Sequence, residues 1–135
     1  MIEATRPVLV IGYGNPGRLD DGLGPALAAR LEALALPGVT VDADYQLTVE
    51  DAARVAAHAV VVLADAATTG AEPFYFERLA PTPGLGFSSH SVSPGALLAL
   101  AEDLFGARPE AWVLGIRGYD FNEFGERLST RAQAN

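Results

Sequence analysis

Four residues with side chains that can hold a metal ion, three aspartates and a histidine, stand directly after apolar segments or in a loop. Asp20 and Asp21 follow the first apolar segment of the chain, Asp65 directly follows the second, and His90 stands among serines in a later loop. Carboxylate and imidazole groups are suitable ligands for Ni, Mn and Zn. The sequence has no cysteine, which excludes a thiolate metal site, a cysteine nucleophile and a disulfide framework. The chemistry open to this chain is therefore that of carboxylates and histidine.

The elements around these residues predict an α/β fold. Continuous β-branched and apolar runs at 7–13 and 59–64 predict strands buried on both faces of a sheet. Further strands are predicted at 39–44, 74–79 (an edge strand) and 111–116, and helices at about 20–36, 48–57 and 93–105, the last with Leu97, Leu100, Ala101 and Leu104 as its inner face. This alternation predicts a single domain over residues 1–135, a three-layer α/β/α fold of the phosphorylase/hydrolase-like type with a mostly parallel, twisted sheet of about five strands.

The predicted topology brings the four polar residues to one place. In open parallel sheets, ligands bind beyond the carboxyl ends of the strands. Asp20 and Asp21 lie in the loop after the first strand, and Asp65 is delivered to the same edge by another strand. The loop that carries His90 leads into a helix, so it can also lie along that edge. The sequence therefore predicts one acidic cleft there.

Each of these residues also has an ordinary structural role open to it. Asp20, and to a lesser degree Asp21, can cap the following helix and interact favourably with its dipole. Asp65 can accept hydrogen bonds from loop N–H groups, and His90 can be a polar loop residue. A Ser-His-Asp hydrolase is disfavoured because the sequence has no G-x-S-x-G motif.

The glycine-rich loop GYGNPG at 12–17 allows two other interpretations. It matches the G-x-G-x-x-G pattern of dinucleotide-binding, Rossmann-like proteins. However, Asp20 and Asp21 stand where a pyrophosphate needs positive potential and free N–H groups, which disfavours this interpretation. The loop also resembles the opening of peptidyl-tRNA hydrolases, but the segment Arg18–Asp21 lacks the catalytic histidine that follows in those enzymes.

Several segments together resemble one further family. They are VLVIGYGNPGRLDDGLG, VVLADA, SSHSVSP and WVLGI, which span most of the chain. In these segments the chain is similar to the [NiFe]-hydrogenase maturation endopeptidases, which trim the C-terminus of the hydrogenase large subunit. The resemblance implies that Asp21, Asp65 and His90 bind a metal ion and are the catalytic residues. Asp21 stands where the family also has Glu.

The resemblance also implies a substrate. It predicts an endopeptidase that removes the C-terminal extension of a hydrogenase large-subunit precursor after nickel insertion, with the nickel of the substrate as the metal and Zn or Cd as substitutes in crystals. The segments Asp44–Thr48 and Arg117–Tyr119 favour the branch that serves NAD-reducing hydrogenases. A module that recognises nickel without cleaving a peptide is the alternative.

The composition restricts the partners and the location. A net charge of −8 argues against binding to nucleic acid, whose phosphates require clustered Lys and Arg. No signal segment and no apolar run of membrane-spanning length is present, so we expect a cytoplasmic protein without a membrane partner. The family usually continues in a long helix after a Leu-Ser pair. Only six residues follow Leu128-Ser129, which predicts that the C-terminal helix is truncated.

Overall fold

Strands and helices alternate along the part of the chain that the structure describes, residues 7–82, 92–121 and 123–135 of a computed structural model. The strands are β1 (Val8–Tyr13), β2 (Val39–Asp44), β3 (Val60–Ala67), β4 (Phe74–Leu79) and β5 (Glu110–Arg117); the helices are α1 (Leu23–Leu34), α2 (Asp51–Ala56), α3 (Pro94–Phe105) and α4 (Thr130–Ala134). A short 3-10 turn, Leu19–Gly22, precedes α1. None of the described helices combines the length and the apolar character that crossing a lipid bilayer requires.

The five strands form one mostly parallel sheet in the order β2-β1-β3-β5-β4. Strands β2, β1, β3 and β5 run parallel to one another, and β4 pairs antiparallel with β5 at the edge. Helices α2 and α3 pack on one face of the sheet, and α1 and α4 pack on the other. The predicted α/β fold and the predicted edge strand are therefore confirmed.

The larger core lies between the sheet and the helices α2 and α3. Leu9 and Ile11 of β1 and Leu63 of β3 are fully buried there against Val55 and Leu97. Alternate residues of these strands point to this face, as the period of two in a strand requires. The buried apolar pattern that predicted the strands is thus explained by a sheet that is covered on both sides.

On the opposite face, two glycines allow α1 to lie unusually close to the sheet. A Cβ atom on Gly12 would lie 2.0 Å from the carbonyl oxygen of Gly24, and one on Gly24 would lie 2.3 Å from that of Tyr13. These distances leave no room for any side chain. The first glycine of the G-x-G-x-x-G pattern therefore serves the packing of helix against strand.

Two details of the predicted elements are wrong. The strand predicted to end at Ala64 continues to Ala67, so that Asp65 lies inside β3 and pairs with Gly115 of β5. In α3, Leu104 is 64% exposed instead of facing inward, because the buried stripe of this helix ends at Ala101 and the last turn extends past the core.

Candidate active site

Asp21 and Asp65 both lie beside Gly14 at the carboxyl edge of the sheet, the edge at which the sequence places them. Asp65 is delivered by β3, and Asp21 by the 3-10 turn that follows the loop after β1. Both are half-buried. Gly14, their common neighbour, is the residue directly after β1.

Gly14 is the glycine that makes this arrangement possible. Its φ of 140° lies in the region that glycine favours, and its N–H donates to the carbonyl oxygen of Asp44 at 2.9 Å. A Cβ atom at this position would lie 2.1 Å from the carbonyl oxygen of Asp21 and 3.6 Å from Oδ1 of Asp65. Any other residue at position 14 would push the acidic loop away from β3.

The environment of Asp65 disfavours its charged form. Burial raises the pKa of the Asp65 carboxyl to about 6, with a further upward contribution from the charge of Asp21, although the N–H of Ala66 donates to Oδ1 at 2.8 Å and acts in the opposite direction. The neighbouring phenol of Tyr13 is affected too. Its own burial and the charges of Asp65 and Tyr75 raise the pKa of Tyr13. A divalent cation placed at the two carboxylates would relieve this electrostatic strain.

The two carboxylates have donor atoms to spare for such an ion. Oδ2 of Asp21 accepts from the N–H of Asn15 at 2.8 Å, and Oδ1 of Asp65 accepts from Ala66. Within the described residues, the second oxygen of each carboxylate accepts no hydrogen bond. Two oxygen ligands from rigid elements fit a divalent ion that keeps open positions for water or substrate.

The third predicted ligand, His90, lies outside the described residues, so its place beside the two carboxylates stays a prediction. The next described residue is Val92, whose N–H donates to the carbonyl oxygen of Leu47 at 3.0 Å. Among the residues that are described, no three His, Cys, Asp or Glu side chains form a metal-binding group.

Asp20 has a role that the sequence analysis missed. It is fully buried, and no side-chain oxygen caps the N-terminus of either the 3-10 turn or α1, so its interpretation as a helix cap is wrong. Instead Oδ2 of Asp20 accepts from the N–H groups of Tyr119 and Asp120 at 2.7 and 2.9 Å, and from the hydroxyl of Ser129 at 2.7 Å. Oδ1 accepts from the N–H of Ser129 at 2.7 Å. Burial raises the pKa of Asp20, but these hydrogen bonds outweigh it and lower the pKa below its ordinary value.

Asp20 thereby fastens the end of the chain beside the acidic site. Main-chain hydrogen bonds extend the same junction, because Leu19 donates to Gly125 and Gly125 donates to Gly17. Ser129 also accepts from the N–H of Ala132 at 3.2 Å and begins α4. Serine is a common N-cap residue, so the role of Ser129 at the start of α4 is visible in the sequence. Its contact with Asp20 is not, because the two residues are more than a hundred positions apart.

Known proteins match this chain by structure but not by sequence. No protein-family model and no curated protein matches the sequence. Solved structures do match. They include the [NiFe] hydrogenase maturation protease HycI from Thermococcus kodakarensis (23% identity, 96% of this chain and 84% of that one, TM-score 0.71), a hydrogenase 2 maturation peptidase from a Thaumarchaeota archaeon (24%, 96% and 90%, 0.66) and the maturating endopeptidase HybD from E. coli (20%, 94% and 83%, 0.66). The chain has the fold of the [NiFe]-hydrogenase maturation proteases.

Within this maturation-protease fold, the glycine-rich loop is closed to a pyrophosphate. The N–H of Asn15 is taken by the carboxylate of Asp21, and that of Gly17 donates to Oδ1 of Asn15 at 2.8 Å. Dinucleotide-binding loops use such N–H groups for the phosphates. In this loop, the N–H of Asn15 holds Asp21 and the N–H of Gly17 closes a turn with Asn15, which argues against the Rossmann-like alternative.

Proposed function

We propose that this chain is an endopeptidase that removes the C-terminal extension of a [NiFe]-hydrogenase large-subunit precursor after nickel insertion. One observation carries the proposal: Asp21 and Asp65, which the sequence resemblance implicates, stand together around Gly14 at the carboxyl edge of a maturation-protease fold. The proposed setting is the cytoplasm. The branch that serves NAD-reducing hydrogenases remains our prediction for the partner.

The roles of the residues follow from their chemistry. Asp21 and Asp65, with His90 as the predicted third ligand, would hold a divalent ion, which could be the nickel already present in the substrate. Such an ion polarises a peptide carbonyl and lowers the pKa of a bound water. The backbone N–H groups of Asn15 and Ala66 fix one oxygen of each carboxylate, and the other oxygen accepts no hydrogen bond from the described residues. The pair therefore offers negative charge at fixed positions.

The experiment is a processing assay on a nickel-loaded large-subunit precursor. We expect wild type to shorten the precursor, and Asp21→Ala, Asp65→Ala and His90→Ala each to reduce the rate by at least about a hundredfold, the scale on which loss of a catalytic or ligand group acts. The matched control is Glu32→Gln, which removes an exposed carboxylate on α1. It should process at the wild-type rate.

The outcomes separate the proposal from its alternative. A complex with the precursor that forms without any shortened product would identify a nickel-recognising binding module instead of a protease. Equal cleavage of an unfolded peptide without nickel would contradict the proposed recognition of the loaded substrate. Wild-type cleavage by Asp65→Ala would remove the acidic pair from the mechanism.

A further inference from the structure

A line of side chains crosses the sheet at the level of Asp65. Asp65 pairs with Gly115 of β5, and Gly115 pairs with Tyr75 of β4. On the other side of Asp65, the last pair between β1 and β3 is Gly12 with Ala64, so the next residues along, Tyr13 and Asp65, lie opposite each other. Side chains that lie opposite each other on neighbouring strands point to the same face of a sheet. Two tyrosines therefore flank Asp65 on the face that it occupies.

Gly115 allows Tyr75 to reach across β5. A Cβ atom on Gly115 would lie 2.2 Å from Cζ of Tyr75, 2.3 Å from Cε1 and 2.6 Å from the hydroxyl oxygen. The phenol thus fills the place that a side chain at 115 would take. Because neighbouring strands are about 4.8 Å apart, this carries the hydroxyl one strand closer to Asp65 than the backbone of β4 is.

Contacts among the described residues leave the hydroxyl groups of Tyr13 and Tyr75 available for a ligand. Both side chains are half-buried. Within the described ranges, neither hydroxyl has a hydrogen-bond partner. The hydroxyl of Tyr119, by contrast, is engaged by Glu72 and by Asn135. Partly desolvated hydroxyl groups usually find a partner, so a donor left over beside an acidic centre indicates a ligand.

We propose that Tyr75 is a substrate-binding residue whose hydroxyl donates a hydrogen bond to a main-chain carbonyl of the polypeptide that lies against Asp21 and Asp65, with Tyr13 as a second donor. This inference rests on the proposed endopeptidase function. A polypeptide in the cleft presents carbonyl oxygens as its principal acceptors, and a protonated phenol can only donate to them.

Tyr75→Phe tests the hydroxyl alone, because the ring that covers Gly115 is kept. In the processing assay, we expect KM to rise roughly 3- to 10-fold, the size of one neutral hydrogen bond, with kcat unchanged. A purely structural role would instead lower the stability and leave KM unaltered. The matched control is Tyr45→Phe, since Tyr45 follows β2 at the opposite edge of the sheet and is 69% exposed. It should leave KM unchanged.

Gly115→Ala tests the space above Gly115 that the ring of Tyr75 occupies. The new methyl group would displace the phenol, so we expect KM to rise at least as much as in Tyr75→Phe, together with some loss of stability. The double variant Tyr75→Ala, Gly115→Ala should recover the stability, because the methyl group then has room, but it should keep the raised KM.

The results distinguish this inference from the proposed function. A wild-type KM in Tyr75→Phe, while Asp65→Ala abolishes cleavage, would overturn the role of Tyr75 and leave the protease intact. A double variant that regains the wild-type KM would overturn it as well. If wild type does not process the loaded precursor, the proposed function fails and the role of Tyr75 fails with it.

Discussion

Asp20 and Asp21 are neighbours in the chain with identical side chains, yet they do opposite things. Asp20 is fully buried, and its two oxygens accept four hydrogen bonds from residues 119, 120 and 129. Asp21 is half-buried, and among the described residues it accepts one hydrogen bond, from Asn15. The first carboxylate is saturated by its own chain, whereas the second keeps an oxygen available at the cleft.

The difference shows how one acidic pair can build a site and hold it in place. The charge of Asp20 is stabilised by donors from the C-terminal segment, so this residue fastens that segment to the 3-10 turn that also carries Asp21. The charge of Asp21 acts on Asp65 across Gly14 and raises its pKa. The hydrogen bonds therefore give Asp20 a structural role, and the oxygen of Asp21 that accepts none from the described residues is the basis for proposing it as a ligand.

The largest expected effect on stability comes from breaking the saturated member of the pair. Asp20→Ala leaves the N–H groups of Tyr119, Asp120 and Ser129 without their acceptor in a buried place. Because each unsatisfied buried donor is costly, we expect a loss of about 3–5 kcal/mol in the free energy of unfolding. Urea unfolding measures it. Asp20→Asn should lose about 2–4 kcal/mol, since its amide nitrogen would face at least one donor.

Asp21 supplies the control for this experiment. Asp21→Asn keeps an acceptor for the N–H of Asn15 and removes the repulsion of Asp65, so we expect a change of less than about 1 kcal/mol. Equal destabilisation by the Asp20→Asn and Asp21→Asn variants would contradict the division of roles between the two residues.

The sequence predicts the elements of this molecule well, for a physical reason. Buried parallel strands such as β1 and β3 need continuous β-branched and apolar runs. The bounds of α3 are indicated by Ser93 as its N-cap, Pro94 at its first position and Gly106 at its end. Asp21 and Asp65 could be placed at one edge because all parallel strands of a sheet present their carboxyl ends together. Local pattern and a general rule of topology were sufficient for these features.

What the sequence could not predict depends on contacts between distant segments. The hydrogen bonds of Asp20 to Tyr119 and Ser129 span about a hundred residues, and nothing near Asp20 distinguishes it from a helix cap. The phenol of Tyr75 over Gly115 depends on the register of β4 against β5. A glycine inside a strand suggests a close approach, but only the pairing identifies the partner.

A second prediction compares the two carboxylates as ligands. Divalent Ni, Zn or Cd should stabilise the protein after metal removal with EDTA, because the ion binds the folded chain and relieves the repulsion between Asp21 and Asp65. At a hundred times the Kd, the expected gain is about 2.7 kcal/mol. Thermal unfolding with and without each metal ion measures it. Asp21→Ala and Asp65→Ala should each lose most of this gain.

The control for metal binding removes a carboxylate from the surface. Asp103→Asn changes an exposed residue of α3 and should keep the full stabilisation. If Asp21→Ala retained the gain while Asp103→Asn lost it, the metal would bind elsewhere. A melting temperature of wild type that is indifferent to all three ions would contradict a divalent site at this pair.

The smallest expected effect is the pH dependence of the metal-free protein. The pKa of Asp65 is raised to about 6 in the folded state, from 3.8, so between these values the folded chain binds more protons than the unfolded chain does. The contribution of Asp65 to the free energy of unfolding therefore falls as the pH rises from 4 to 7. Asp65→Asn removes this titration, so its stability relative to wild type should grow over that range. We expect about 1–2 kcal/mol after allowance for partial exposure to solvent.

Urea unfolding of both proteins at pH 4, 5, 6 and 7 in EDTA measures the difference, with Glu32→Gln as a control that should run parallel to wild type. Parallel curves for Asp65→Asn and wild type would show that Asp65 is as well solvated as an ordinary surface carboxylate, and the distinction between an open and a saturated acid would then lose its electrostatic basis.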